Sequence, residues 1–275
     1  MKENLENLLH ILKDMQSALL AFSGGVDSSF LLKALQMSGI ETLAVTSSSE
    51  IIPSYEVSFA ARIAEELGIK HRILETEKLL MKEFVNNSAE RCFFCKTALF
   101  RSLTEISLSK GYRFILDGSN RDDLMDFRPG QKALSAFDVR SPLTEAGFTK
   151  GEIRECSRQL GLPTWDRPSS PCLATRIPYG RRITKEALKR IELSEGFLRS
   201  LGFRQIRVRD HGSVARIELG EGEIELALGP ERRKVISETF KSLGYEFVSL
   251  DLDGYKSGSM NRILNGGRPW KTVNI

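Results

Sequence analysis

Residues 23–29 read Ser23-Gly24-Gly25-Val26-Asp27-Ser28-Ser29, directly after one apolar run and at the start of another with helical spacing. Paired glycines let a backbone bend sharply and approach a ligand closely. The N–H groups at a helix start have no partner inside the helix and carry the positive end of its dipole. Strand, glycine loop and helix in that order make a cradle for an anion, above all a phosphate. Ser23, Ser28 and Ser29 add hydroxyl donors. Asp27 is foreign to such a site unless it helps to hold Mg²⁺ or orients the loop. The ordinary alternative is a glycine turn with a serine cap, and the strand–loop–helix context argues against it. The loop has neither the lysine of GxxxxGK[ST] nor the spacing of GxGxxG.

The second group is sulfur. Cys92 and Cys95 form a CxxC, and Cys172 follows Pro171 in a Ser/Pro-rich loop. Spacing i, i+3 puts two thiols on one side of a helical turn. Three converging thiolates can hold a [4Fe–4S] cluster with one iron left open, or zinc with an open position. Arg91, Lys96 and Arg176 stand beside them and favour the thiolate. Simple packing is the alternative, since cysteine is commonly buried. It is the preferred reading for Cys156, which lies in a helical stretch without a cysteine near it.

These groups must be positioned by a scaffold. Apolar runs at 17–22, 42–46, 70–74 and 113–116 alternate with helical patterns at 28–37, 53–67 and 99–110. That alternation predicts an α/β fold with a parallel sheet and helices on both faces. Ligands of such sheets bind at the carboxyl ends of the strands. Residues 120–179 are rich in Pro, Gly, Ser, Arg and Asp, with one clear helix at 150–160. An irregular stretch of that length inside a folded chain is usually functional or disordered, and its aromatics and arginines argue for function. From residue 184 the pattern changes to a helix reaching about 201, strands at 205–208 and 215–219, a helix at 231–243 and a strand at 246–250. Two domains are expected: 1–180 with the phosphate loop and cysteines, and 181–275, a smaller α+β domain serving substrate binding and oligomerisation.

The 275 residues are 41% hydrophobic and 28% charged, enough for a sizeable core without staples. The net charge of +4 suits small anions and is too weak to imply a nucleic-acid partner. No apolar run is long enough for a bilayer, and Leu5, Leu8, Leu9 and Leu12 recur at helical spacing where a signal peptide would stand. A cytoplasmic protein is expected, so its cysteines are free for metal, redox or packing roles.

Residues 23–28, SGGVDS, resemble the SGGxDS motif of the PP-loop ATP pyrophosphatases. The resemblance implies a loop that grips the pyrophosphate of ATP while AMP passes to a substrate oxygen. Ala21, Ser23, Gly24, Gly25, Asp27 and Ser28 are then the nucleotide-binding positions, with Phe22 and the end of the second strand near the base. A closer resemblance, to the LarE family, runs over nearly the whole chain. It rests on Asp117-Gly118-Ser119-Asn120-Arg121-Asp122-Asp123, Asp126-Phe127-Arg128-Pro129-Gly130, Ser141-Pro142-Leu143, Leu160-Gly161-Leu162-Pro163 and Trp165-Asp166-Arg167-Pro168. Its most specific part is the string from Cys172 to Gly180, CLATRIPYG. It continues through Ile206-Arg207-Val208-Arg209 and Gly254-Tyr255-Lys256-Ser257-Gly258-Ser259.

That resemblance implies an ATP- and Mg²⁺-dependent sulfur transferase, assembled as a homo-oligomer. It would adenylate the carboxylates of a pyridinium biscarboxylate mononucleotide and convert them to thiocarboxylates, as in making the nickel-pincer nucleotide of lactate racemase. In one branch the cysteine matching Cys172 is the sulfur donor and ends as dehydroalanine. In another, three cysteines bind a [4Fe–4S] cluster that relays sulfide from a donor. Cys92, Cys95 and Cys172 are similar to the second pattern. Arg207 and Arg209 alternate on a strand and face one side. With Arg176 they are candidates for the substrate phosphate, because guanidinium forks suit phosphate. A solvated basic strand face is their alternative. The rival readings are a PP-loop tRNA thiolase, for which the basic clusters Arg181-Arg182 and Arg232-Arg233-Lys234 are short, and an amidotransferase-type synthetase, which gives three cysteines no role. A nucleotide sensor without turnover would leave the Cys- and Arg-rich segment unexplained.

Overall fold

The computed structural model describes residues 2–125, 130–256 and 258–260. Asp126-Phe127-Arg128-Pro129 and Ser257, parts of the family-like motifs, lie outside the described residues. The chain divides into two compact units, Met1–Phe84 with Glu90–Pro171, and Val85–Ala89 with Cys172–Ile275.

The first unit is a four-stranded parallel sheet, as expected. Strands β1 (Ser17–Ala21), β2 (Glu41–Ser48), β3 (Lys70–Glu75) and β4 (Phe114–Leu116) lie in the order β3-β2-β1-β4. Leu19 pairs with Leu43 and Ile115, and Leu20 with Ala44 and Leu116. Successive side chains of a strand point to opposite faces. Accordingly Leu20, Ala44 and Leu116 join one buried cluster, and Leu19, Val45 and Ile115 another. Helices α1 (Lys2–Lys13), α2 (Val26–Ser38), α3 (Ser54–Glu66) and α5 (Lys150–Gln159) close the first face, with Leu8, Phe30, Ile63 and Ile153 in its core. Helix α4 (Arg91–Lys110) closes the second with Phe100 and Leu103. Covering both faces is what makes β1 a continuous apolar run instead of an alternating one.

The strand order has a consequence for function. From β1 the chain proceeds outward to β2 and β3, then returns to place β4 on the other side of β1. Loops leaving the ends of β1 and β4 therefore diverge at a switch point, where open α/β sheets bind ligands. The glycine loop follows β1, and Asp117-Gly118-Ser119-Asn120 follows β4.

Helix α4 begins at Arg91, well before the expected 99, so Cys92 and Cys95 fall in its first turns. Residues 92–99 are all half-buried, which leaves no amphipathic period to announce a helix there. The irregular stretch also holds short helical turns at Arg121–Met125, Gln131–Ala136, Pro142–Glu145 and Leu173–Arg176.

The second unit packs helices α6 (Lys185–Ser200) and α7 (Pro230–Ser242) with strands β5 (Ile206–Asp210), β6 (Val214–Leu219) and β7 (Phe247–Leu250). β5 is antiparallel to β6, and β6 is parallel to β7. Ile206, Val208, Ala215, Ile217 and Leu219 point into its core with Leu198 and Phe240. Period-2 alternation then sends Arg207, Arg209, Arg216 and Glu218 to the opposite face. Val85–Ala89 belong to this unit through Asn87, fully buried, whose amide donates to the carbonyls of Pro178 (2.8 Å) and Arg181 (2.8 Å).

His71 on β3 shares a 2.8 Å hydrogen bond with Thr46 Oγ1 and meets Phe22 edge-on. Burial lowers its pKa from the ordinary 6.5. The unfolded chain therefore takes up a proton first, and stability falls as pH drops below 6.5 towards the folded value. We expect thermal midpoints measured from pH 7.5 down to 5 to fall less steeply in His71→Asn than in the wild type.

Candidate functional site

The glycine loop is shaped by two constraints. Gly24 has φ +70, and a side chain there would meet Ala60 Cβ of α3 at 2.9 Å. Gly25 caps α2 with no side-chain hydrogen bond to the helix, so amides at the helix start keep their donor capacity for a ligand. Hydroxyls ring the turn: Ser23 Oγ lies 3.0 Å from Ser28 Oγ and accepts from Gly25 N–H at 3.4 Å, while Ser28 Oγ is 3.3 Å from the Gly25 carbonyl. Ala21 ends β1 immediately before this turn.

Asp27 is held from two sides. Its Oδ1 accepts from Asn120 Nδ2 at 3.2 Å, and its Oδ2 is ion-paired with Lys150 Nζ. Lys150 opens α5, whose start is fixed by a capping box between Thr149 and Glu152. Asn120 is delivered by the loop after β4, which Asp117 organises by accepting from Ser119 N–H (3.1 Å), Ser119 Oγ (2.6 Å) and Ser141 Oγ (2.6 Å). That loop sits close against the glycine loop, for a Cβ on Gly118 would come within 3.1 Å of the Ser28 nitrogen. A third contact comes from Arg167, which donates to the Gly24 carbonyl at 3.3 Å and pairs with Glu56 at 2.7 Å.

Cys92 and Cys95 are half-buried in the first unit, and neither is in a disulfide. Lys96, next to Cys95, reaches Asp117 at 3.9 Å, and the buried Lys78 donates to the Cys95 carbonyl at 3.5 Å. Cys156 is 4% exposed, and burial raises its thiol pKa above the ordinary value. Cys172 belongs to the second unit, at the start of the turn Leu173–Arg176, where its carbonyl accepts from Thr175 N–H (3.0 Å), Thr175 Oγ1 (2.9 Å) and Arg176 Nη1 (3.2 Å). Among the described residues no group of three or more His, Cys, Asp or Glu is arranged to hold a metal ion.

The second unit gathers the arginines singled out in the sequence. Arg176 is 1% exposed and forks onto Glu195 (2.8 and 3.0 Å), whose Oε1 also accepts from Val208 N–H at 3.0 Å. Arg209 pairs with Glu218 at 2.6 Å and donates to the Thr175 carbonyl at 3.1 Å. Arg216 bridges Glu218 (3.0 Å) and Asp251 (2.8 Å). Arg207 lies over the Tyr255 ring at 4.8 Å. Burial first, then the Arg176 charge, lower its pKa to about 10, so it remains a cation at neutral pH.

No family model matches the chain. An uncharacterized protein of Synechocystis is 40% identical over 265 residues, covering 96% of this chain and 99% of that relative. The pyridinium-3,5-bisthiocarboxylic acid mononucleotide synthase of Lactiplantibacillus plantarum is 38% identical over 259 residues, 94% of this chain and 93% of its own length. The chain belongs to that family, LarE. A weaker likeness joins it to the tRNA-specific 2-thiouridylase MnmA of Halothermothrix orenii, 27% identical over 57% of this chain and 54% of that relative.

In this LarE the sequence motif pointed to the loop but not to what holds it. Lys150, Asn120, Arg167 and Glu56 come from separate elements. Asn120 and Arg167 stand in strings that resemble the family, which single them out without tying them to the loop, and Lys150 has a local signal, since Thr149-Lys150-Gly151-Glu152 has the pattern of a capping box that puts Lys150 at a helix start. Glu195 and Glu218 were equally silent, being ordinary acidic residues of a helix and a strand. They face Arg176 and Arg209 in surroundings where a lone charge is costly. Glu195→Ala leaves Arg176 without that carboxylate and should destabilise the protein by about 3–5 kcal/mol. The double change Arg176→Met with Glu195→Leu should cost less than the single one. Urea unfolding of both variants checks this order.

Proposed function

We propose that this LarE is an ATP-dependent sulfur transferase. It adenylates the carboxylates of pyridinium-3,5-biscarboxylic acid mononucleotide and converts them to thiocarboxylates. The observation that carries the reading is the glycine loop at the switch point of the sheet, in a chain related over nearly its full length to a synthase of the bisthiocarboxylic product. A carboxylate is a poor acyl donor. Its oxygen attacks the α-phosphorus of ATP, pyrophosphate leaves, and the acyl carbon then carries AMP as a good leaving group. A sulfur nucleophile attacks that carbon and AMP departs.

Each proposed role follows from chemistry already described. The amides of Gly24, Gly25 and Ser28 with the hydroxyls of Ser23 and Ser28 take the pyrophosphate end of ATP, Ala21 lies towards the base, and Asp27 would hold Mg²⁺. Arg176, Arg207 and Arg209 are proposed for the phosphate of the substrate, because guanidinium forks suit phosphate and all three are gathered in the second unit. We assign the ATP and cysteine-bearing functions to residues 1–180 and a contribution to substrate binding and oligomer assembly to 181–275, in the cytoplasm. For the sulfur, Cys92 and Cys95 supply two thiol donors one turn apart at a helix start, a donor set suited to iron or zinc. With Cys172 they would hold a [4Fe–4S] cluster, which supplies an open iron for sulfide. The likeness to MnmA favours a tRNA thiolase as the second reading.

Anaerobically purified protein should contain iron and sulfide and show a broad visible band. Cys92→Ala, Cys95→Ala and Cys172→Ala should lose the band, and Cys156→Ala should keep it. Supplied with ATP, Mg²⁺, sulfide and the biscarboxylate, the enzyme should form AMP and pyrophosphate together. A colourless, iron-free protein would move the sulfur to Cys172 as a consumed donor, read out as a loss of sulfur mass after one turnover. Turnover with tRNA and none with the biscarboxylate would sink the substrate assignment.

A further inference from the structure

Arg167 lies in an irregular segment far along the chain from the glycine loop, yet it touches that loop. Its guanidinium makes three kinds of contact at once. One N–H donates to the Gly24 carbonyl at 3.3 Å. Another donates to Glu56 Oε2 at 2.7 Å. The flat face of the group covers the Phe59 ring at 3.8 Å from its centre. Glu56 and Phe59 both lie on α3, the helix whose Ala60 backs Gly24. The Arg167 side chain is 20% exposed and that of Glu56 9%. The segment bearing Arg167 is itself tied down, because Arg154 of α5 donates to the carbonyls of Trp165 (2.6 Å) and Arg167 (2.9 Å).

A peptide group is planar and trans, so a carbonyl and the N–H of the next residue point in opposite directions. Fixing the Gly24 carbonyl therefore fixes the direction of the Gly25 N–H, one of the amides proposed to meet phosphate. Glycine at φ +70 has no side chain to hold that peptide plane, and within the loop the Gly25 N–H has only the long 3.4 Å bond to Ser23 Oγ. A charged donor on the carbonyl also polarises the peptide and strengthens its N–H as a donor. Lysine could supply the charge but not the fork that grips Glu56 and Gly24 together.

We propose that Arg167 is a positioning residue that sets the Gly24–Gly25 peptide plane for binding of the pyrophosphate group, with Glu56 and Phe59 fixing its guanidinium. This rests on the ATP reading above and names a residue that serves it.

The test is calorimetric binding of inorganic pyrophosphate with Mg²⁺ to the full chain, alongside AMP formation and thermal midpoints. Arg167→Gln should weaken pyrophosphate binding and raise KM for ATP roughly tenfold, the size expected for a lost charge-assisted hydrogen bond. KM for the carboxylate substrate should stay within about twofold, a split that general unfolding would not produce. Arg167→Lys should fall between wild type and Arg167→Gln. Should Arg167→Gln lower the thermal midpoint markedly, Glu56→Gln decides instead, and a severalfold loss of pyrophosphate binding is expected there. Unchanged pyrophosphate binding in a folded Arg167→Gln or Glu56→Gln overturns the proposal. A wild type that binds neither ATP nor pyrophosphate overturns it together with the ATP reading. A wild type that binds pyrophosphate but releases no AMP overturns the ATP-splitting reaction alone, and loss of that binding in Arg167→Gln still supports the positioning role.

Discussion

Asp27 brings a negative charge into the glycine loop, and Lys150 and Asn120 take that charge up. A bare carboxylate among amides and hydroxyls would repel the ligand and draw the donors to itself. Paired with an ammonium group, it becomes a tie. One oxygen is bonded to the loop after β4 and the other to the start of α5. The side chains are 36% exposed for Lys150 and 24% for Asp27, so solvent screens the pair and its worth lies in geometry more than in stability. The capping box at Thr149 and the Asp117 hydrogen bonds serve the same end, since each fixes the backbone that carries one partner.

The second unit meets a harsher form of the same problem. The face of β5 and β6 turned from its core carries Arg207, Arg209, Arg216 and Glu218, and three of these four are buried. Ions leave water only at a cost of several kcal/mol each, which mutual attraction offsets when the hydrogen bonds are complete. Glu195 and Glu218 each accept from more than one donor. The pKa of Arg207 is lowered first by its burial and then by the nearby Arg176 charge, with Glu195 acting the other way.

How much of this was legible follows from range along the chain. β1 and the loop after it read directly, because a buried parallel strand is an apolar run and a phosphate loop is a local motif. The alternation of β5 told that Arg207 and Arg209 share a face, but not that the face is buried, because covering it takes Tyr255 and the turn at Leu173–Arg176, distant in sequence. The early start of α4 was hidden for a different reason. Its first turns are half-buried on every side and so lack a period. Asp27 with Lys150 and Gly24 with Arg167 are separated by more than a hundred residues, and no periodicity carries that information.

The first unit uses one physical device twice. Helix α2 starts at the end of the glycine loop, and α4 carries Cys92 and Cys95 within its first turns. At the one, the unpaired amides of the helix start are left for a ligand; at the other, the first turns set two thiols on one side of the helix. Cys156 shows the contrast, for it sits late in α5, away from any helix start, where burial raises its pKa and keeps the thiol protonated. The two cysteines with i, i+3 spacing therefore differ from Cys156 in exposure as well as in sequence, being half-buried where Cys156 is buried. The same ordering is expected in alkylation rates measured on reduced, metal-free protein: Cys92 and Cys95 react ahead of Cys156 in the folded state, and the difference closes when the chain is unfolded.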